Sequence, residues 1–355
     1  LNILLFSKYS RQGASSRLRS LQYLPMMNAD GFSVEVSPLF DDEYLKKLYD
    51  TKSRSKYSIV IAYLSRFRHV LMARKYDLIW IEYELFPYFP AFFERILRLL
   101  GVRYVVDYDD AIFHNYDLSS SVLVRKILGE KIDKVMESSC CVVVGNNYLK
   151  ERAQTSGAQN IEYFPTVVDA DRYLPSAPKV GGGELVIGWI GSPSTQKYVL
   201  KLKDVIAKFC QPGVARLVMV GASRDVLSDL SGLNVSVEPW AEDTEASLVS
   251  RFDIGIMPLE DGPWERGKCG YKLIQYMASG KPVIASPIGV NTKLVTESEV
   301  GLLASSLEDW QSALMELIGS PELRKQYGEN GRKAVEQQYS IQAQAPRLIR
   351  IFKEL

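Results

Sequence analysis

Three short runs limit this chain more than any other feature: DLIWIE (Asp77–Glu82), VRYVV (Val102–Val106) and CCVVV (Cys140–Val144). Each is a nearly unbroken block of apolar and β-branched residues. A strand with one wet face alternates polar and apolar with period two. Unbroken runs this short therefore read as parallel strands buried on both faces. Helical stretches separate them, such as AFFERILRLLG, which stops at Gly101 as a C-terminal cap. Asn2–Phe6 and FSVEVSPL, after the Asp30-Gly31 turn, are further strands. The alternation implies an α/β fold with a doubly wound sheet.

The pattern then breaks and restarts. DADRYLPSAPKVGGGE (Asp169–Glu184) holds two prolines and three successive glycines, the composition of a linker. After it come LVIGWIG, a helix near Tyr198–Phe209, RLVMVG, NVSVEPW, DIGIMPL and PVIAS, a second Rossmann-like series. A length of 355 residues also exceeds what one hydrophobic core usually serves. We expect a first domain over 1–168, a linker over 169–184 and a second domain over 185–339. A C-terminal helix at about 340–355 is expected to join the first domain. Ligands of such folds bind beyond the C-terminal ends of the strands, here in a cleft faced by two domains.

Bulk properties exclude several classes. The chain is 46% hydrophobic with net charge +1, so nothing draws it globally to nucleic acid, and no nucleic-acid partner is expected. Its four cysteines form no C-x-x-C pair and read as buried thiols. With only two histidines, a His/Cys zinc site is not expected. No run is long and apolar enough to cross a bilayer, and LNILLFSKYS reads as a strand and not as a signal peptide, so a cytoplasmic location is expected. No G-x-G-x-x-G follows either first strand, which disfavours a dinucleotide oxidoreductase.

The stretch PWERGKCGYKLIQYMASGKPVIAS (Pro263–Ser286) carries the chemistry. Gly270 is a natural helix start and Gly280 a natural stop, with Pro282 beyond. At 100° per residue, Leu273, Ile274 and Met277 share a core face. Lys268, Lys272, Gln275 and Ser279 share the opposite one. A solvated polar face is the plain reading of such a pattern. Against it stand cations gathered at a helix N-terminus, where the dipole disfavours them, and two glycines that admit a close ligand. Together with the strand DIGIMPL leading in, they describe a diphosphate site.

The same stretch resembles the donor-binding signature of glycosyltransferase family 4, of the GT-B fold. The likeness lies at Gly270, Met277, Ala278, Gly280, Pro282, Val283 and Gly289. It departs at both acids of the family's Glu-x7-Glu motif, where Gly267 and Gln275 stand. IGWIGSPSTQKYVL is similar to the family's G-R-x4-K segment, with Gly191 and Lys197 in place and Ser192 at the arginine position, a charge that Arg266 could replace. The resemblance implies a donor side made of Gly191, Ser192, Lys197, Arg266, Lys268, Gly270, Tyr271, Lys272 and Gln275, with Trp240 in the region along the nucleobase. The donor would be a UDP- or GDP-linked sugar, and the acceptor a saccharide or lipid-linked saccharide. Retaining, metal-independent transfer in surface polysaccharide assembly, lipopolysaccharide included, would follow.

For the first domain the resemblance places a loop over phosphates and acceptor at SRQGASSRLR, with Gly13, Ser15, Ser16 and Arg17 as candidates. It sets Asp109, followed by Asp110, where the family has a catalytic-region histidine. Two other readings stay open. Asp107-Tyr108-Asp109 matches a metal-holding D-x-D, which would make a metal-dependent or inverting enzyme. Loss of both family glutamates would also suit a non-catalytic nucleotide-sugar-binding protein. Glu82 and Glu84 close another strand as minor candidates.

Between Tyr44 and Lys75 stand nine Lys/Arg and one acid, Asp50, with Tyr57, Tyr63 and Phe67 interleaved. A basic, aromatic segment suits peripheral contact with an anionic membrane, at the inner face of the cytoplasmic membrane.

Overall fold

The computed structural model describes residues 1–44, 56–175 and 183–355. They divide into two compact units. The first holds Leu1–Thr166, Gly267–Cys269 and Ala345–Leu355; the second holds Val167–Arg266 and Gly270–Gln344. Of the stretch read as a linker, residues 169–175 belong to the second unit, and 176–182 lie outside the described residues.

The first unit is built on six parallel strands: β1 (Asn2–Phe6), β2 (Ser33–Val36), β3 (Leu78–Glu82), β4 (Tyr104–Tyr108), β5 (Cys141–Val144) and β6 (Ile161–Tyr163). Their order is β2-β1-β3-β4-β5-β6. The three unbroken apolar runs supply β3, β4 and β5, and every residue of these strands is buried. One sheet face packs Phe6, Ile81, Val106 and Val144 into a core with Leu97, Ile132 and Val135 from helices Phe92–Leu99 and Lys131–Ser138. On the other face, Trp80 meets Phe352 of the last helix edge to face at 4.8 Å.

The second unit repeats the design with β7 (Leu185–Ile190), β8 (Ala215–Val220), β9 (Val235–Glu238), β10 (Ile254–Met257), β11 (Val283–Ala285) and β12 (Gly301–Leu303). All pair in parallel, in the order β12-β11-β10-β7-β8-β9. In each sheet the order reverses once, between β1 and β3 and between β7 and β10. Such switch points leave a crevice outside the strand ends, where ligands of these folds bind.

The structure corrects the phasing expected for Pro263–Ser286. The helix runs Tyr271–Ala278, opened by Gly270 at φ 67°. Lys268 precedes it, and Leu273 through Ser279 are all buried, Gln275 and Ser279 among them. The reason is a second packing partner. Gln275 reaches Tyr173 in the interior, and helix Pro321–Ala334 packs on the end of the helix, with Gly331 against Met277 and Gly328 bringing its backbone against Gly280. A Cβ on Gly328 would sit 2.1 Å from the Gly280 carbonyl oxygen.

The basic segment is corrected in part. Lys46, Lys47, Lys52 and Arg54 lie outside the described residues. Arg66 does not face outward. It is buried in helix Lys56–Leu71 and donates to the carbonyls of Ser7, Ser37 and Leu85, and burial pulls its pKa down to about 9. Among the described residues, no helix is long and apolar enough to cross a membrane.

Gly328→Ala should therefore force the two helices apart and lower stability by about 1–3 kcal/mol. Gly319→Ala, whose Cβ meets nothing within 4 Å, is the control and should cost nothing of that size. Chemical denaturation of the two variants checks this.

Candidate functional site

In the second unit, the switch between β7 and β10 gathers the expected donor residues unevenly. Gly191 follows β7, and its N–H donates to Val220 O at 3.0 Å. Having no side chain, it leaves room for Lys272: a Cβ there would lie 2.6 Å from Lys272 Nζ. That ammonium stands 4.5 Å from the centroid of the Trp189 ring and 3.4 Å from Thr195 Oγ1. Ser192, exposed, hydrogen-bonds Ser194 at 2.8 Å. Helix Tyr271–Ala278 starts beside them with no acid in its first turn and no side-chain cap. Its first N–H groups and Lys272 thus supply one concentration of positive potential.

Other expected residues have different partners. Lys197 is exposed, its Nζ over the Tyr198 ring at 4.9 Å. Arg266 makes a two-pronged pair with Asp261 at 2.7 and 2.8 Å. Gln275 donates to Tyr173 Oη at 2.9 Å in the interior, and Tyr173 donates to Glu245 Oε1 at 2.9 Å. Glu245, itself buried, accepts from Trp240 Nε1 at 2.8 Å and so orients the indole, which is 37% exposed. Gly221, at φ 79° after β8, passes under Trp240 and against Gly191 O. Glu245, Tyr173 and Thr195 carried no sequence signal; only the fold brings them here.

In the first unit, the ends of β1, β3 and β4 hold a carboxylate cluster. Glu82 is buried. It accepts from Ser16 Oγ at 2.6 Å and from Lys8 N–H at 2.8 Å, and its Oε1 has no partner. Burial pushes its carboxyl up to about 7, against those hydrogen bonds. Ser16 thus ties its helix to β3. Gly13 is pressed against Tyr9, and Arg17, also buried, donates to Arg11 O at 3.3 Å. Asp109 and Asp110 are half-buried just past β4. Asp109 accepts a short hydrogen bond from Tyr83, whose hydroxyl oxygen is also 2.9 Å from Ser15 Oγ. Tyr83 was not foreseen. It sits at φ 65°, a strained backbone for an aromatic residue, held by its own N–H to Asp107 O at 3.1 Å and by Tyr108 Oη to its carbonyl at 2.8 Å.

Lys268 belongs to this cluster. Its Nζ lies 2.6 Å from Asp110 Oδ2, and the neighbouring backbone is fixed by Asn146 Nδ2 to Gly267 O at 2.7 Å and by Cys269 Sγ to Asp109 O at 3.1 Å. Burial opposes the charge on Lys268, but Asp110, with Asp109 behind it, raises its pKa above the ordinary lysine value. Asp107, the first residue of the D-x-D reading, already has a partner. Its carboxylate is buried and paired with Arg19 at 2.8 Å, and burial holds its pKa at about 6 despite that pairing. Among the described residues, no group of three or more His, Cys, Asp or Glu is arranged to hold a metal ion.

Comparison with known proteins now bears on these strand ends. Residues 184–320 match the family model of the glycosyl transferases group 1. A curated relative, an uncharacterized glycosyltransferase of Methanocaldococcus jannaschii, is 39% identical over 66 residues, which is 18% of this chain and 19% of that protein. Solved structures agree over far more of the chain. Sucrose-phosphate synthase from Thermosynechococcus elongatus superposes with a TM-score of 0.74 at 17% identity, covering 99% of this chain and 98% of its own. Anabaena HepE in complex with UDP gives 0.74 at 14%, covering all of both chains. WaaG, a glycosyltransferase involved in lipopolysaccharide biosynthesis, gives 0.71 at 15%, covering 99% of each. At such identities the likeness establishes the fold, which is GT-B.

Glu82 gives a test of the cluster. Its native carboxyl holds a proton to higher pH than the usual value of 4.5. The stability it contributes is therefore complete below that value and is lost as pH rises through about 7. Glu82→Gln keeps an acceptor for Ser16 and Lys8 and cannot ionise. Relative to the parent, the variant should gain about 1–3 kcal/mol between acid and neutral pH. Urea denaturation across that range measures it, and parallel profiles would contradict the assignment.

Proposed function

We propose that the chain moves a hexosyl group from a nucleotide-diphosphate donor, UDP- or GDP-linked, to a saccharide acceptor, lipid-linked in the cell. The carrying observation is Lys272. An ammonium set against a glycine at the end of β7, beside an uncapped helix N-terminus, is arranged for the diphosphate of such a donor. Gly191, Ser192, Gly270 and Tyr271 frame that position. Lys197 and Arg266, both exposed, are the further cations of the proposed donor side. Trp240, oriented by Glu245, offers a ring to the base, and Gln275 takes a positioning role through Tyr173.

On this reading Asp109, aimed by Tyr83, orients the acceptor hydroxyl, and Asp110 with Lys268 balances charge beside it. Transfer proceeds with retention and without a metal, the leaving diphosphate taking the acceptor proton. Two findings on other proteins support the setting: HepE was solved with UDP, with UDP-glucose and with UDP and glucose, and WaaG is described as acting in lipopolysaccharide biosynthesis. Assembly of a surface polysaccharide at the inner face of the cytoplasmic membrane is the proposed role.

UDP or GDP should raise the melting temperature, with a stabilisation of about 2.7 kcal/mol at a hundredfold excess over the dissociation constant. Lys272→Ala should weaken that binding by about tenfold, or ~1.4 kcal/mol, and Lys268→Ala by less. No shift with either nucleotide would remove the donor assignment. Asp109→Asn should leave donor binding unchanged and cut turnover by about 10²-fold. Full activity in EDTA is expected, and loss of activity there would restore a metal. Donor binding without turnover on any acceptor would make the chain a sugar-nucleotide binder and not an enzyme.

A further inference from the structure

Helix Lys56–Leu71 is apolar on both sides. Its inner side buries Val70 and Arg66 and lays Tyr63 on the core, while its outer side shows Tyr57, Val60, Ile61, Leu64, Phe67 and Leu71, between 39% and 76% exposed. These positions follow the spacing of three and four that a helix normally presses onto a core. The apolar surface continues beyond the helix. Phe67 meets Phe93 edge-on at 5.9 Å, and Phe93 meets the exposed Phe92 at 5.5 Å. A cavity of about 440 Å³, lined by Phe92, Arg95 and Leu99 on one side and by Ile127 of helix Val122–Leu128 and Lys134 of helix Lys131–Ser138 on the other, joins these helices. Val122, Leu123 and Ile127 are exposed there as well. Scattered apolar residues are ordinary on a surface, but a continuous one built from three helices marks an interaction site.

Charge decides what covers it. Helices Lys56–Leu71, Phe92–Leu99 and Val122–Leu128 hold one acid between them, Glu94, and it is buried, accepting the Leu85 N–H at 2.9 Å; at the cavity's far edge the exposed Glu130 is paired with Lys134 at 3.1 Å. Arg68, Arg95, Arg98, Arg125 and Lys126 are exposed along the same helices. A second copy docked face to face would set these cations against one another. A lipid leaflet offers both things the surface lacks, a hydrocarbon layer for the stripe and anionic phosphates for the rim. We propose that this face of the first unit inserts shallowly into an anionic leaflet, with the stripe among the acyl chains and the arginines among the headgroups. The inference stands on the surface alone and holds whether or not the chain transfers sugar.

The test mixes the full chain with phosphatidylcholine vesicles, with and without phosphatidylglycerol, and sediments them. The chain should pellet with the mixed vesicles and bind about tenfold more weakly to phosphatidylcholine alone. Ile61→Glu with Leu64→Glu, both at exposed positions, should lower binding by about tenfold or more while the thermal melt stays that of the parent. Emission of a Phe67→Trp variant should shift to the blue on mixed vesicles. That shift should persist in part at high salt, because burial in hydrocarbon is not screened. The proposal is overturned if the parent chain stays in the supernatant, or if the double variant binds as well as the parent. It is equally overturned if light scattering finds a dimer that the double variant converts to monomer, which would assign the stripe to a second copy.

Discussion

A parallel strand covered on both faces has no polar surface of its own, and the inner strands of both units are of this kind. Their chemistry is therefore confined to the strand ends, where backbone groups run out of ladder partners and side chains can meet solvent. That constraint explains why Glu82, Asp109 and Asp110 cluster past β3 and β4, and why Gly191 and Lys272 meet past β7. Packing within each sheet and polar function at its rim are two consequences of one architecture.

At the rim of the first unit the ion pair of Arg19 and Asp107 has a positioning role. Both groups are buried, and Arg19 Nη1 also donates to Phe164 O at 2.8 Å. The pair fixes helix Ala14–Arg19 to β4 and to the chain beyond β6. Ser15 and Ser16 on that helix then reach Tyr83 and Glu82. Removing either partner would leave an uncompensated charge in the interior, so the loop's geometry is held by a contact that touches no ligand. In the second unit Glu245 has the same kind of role for Trp240, through its hydrogen bonds with Trp240 and Tyr173.

Patterns that depend on near neighbours were legible in the sequence. The apolar runs named β3, β4 and β5, and Gly270 and Gly280 bracketed a helix. What was not legible depended on partners far along the chain. Gln275 looked exposed because its phasing opposed the core residues, yet it is buried against Tyr173, 102 residues away. Asp107 looked like a metal ligand because nothing nearby reveals Arg19, 88 residues away. The stripe on helix Lys56–Leu71 shows the remaining gap. Periodicity tells which residues share a face, but whether the face is covered depends on what the fold places over it. The basic count between Tyr44 and Lys75 treated Arg66 like its neighbours, although it is buried among carbonyls.

The first unit takes its closing piece from the other end of the chain. Residues Ala345–Leu355 belong to it, with Phe352 set against Trp80, and Gly267–Cys269 belong to it as well. During synthesis, domains generally fold in the order they emerge. Here the unit begun first is completed last. Its β-sheet must wait, with Trp80 uncovered, while the whole of the second unit is translated. A chain shortened by those eleven residues would lose a wall of its first unit while keeping every residue assigned to sugar-nucleotide binding in the second.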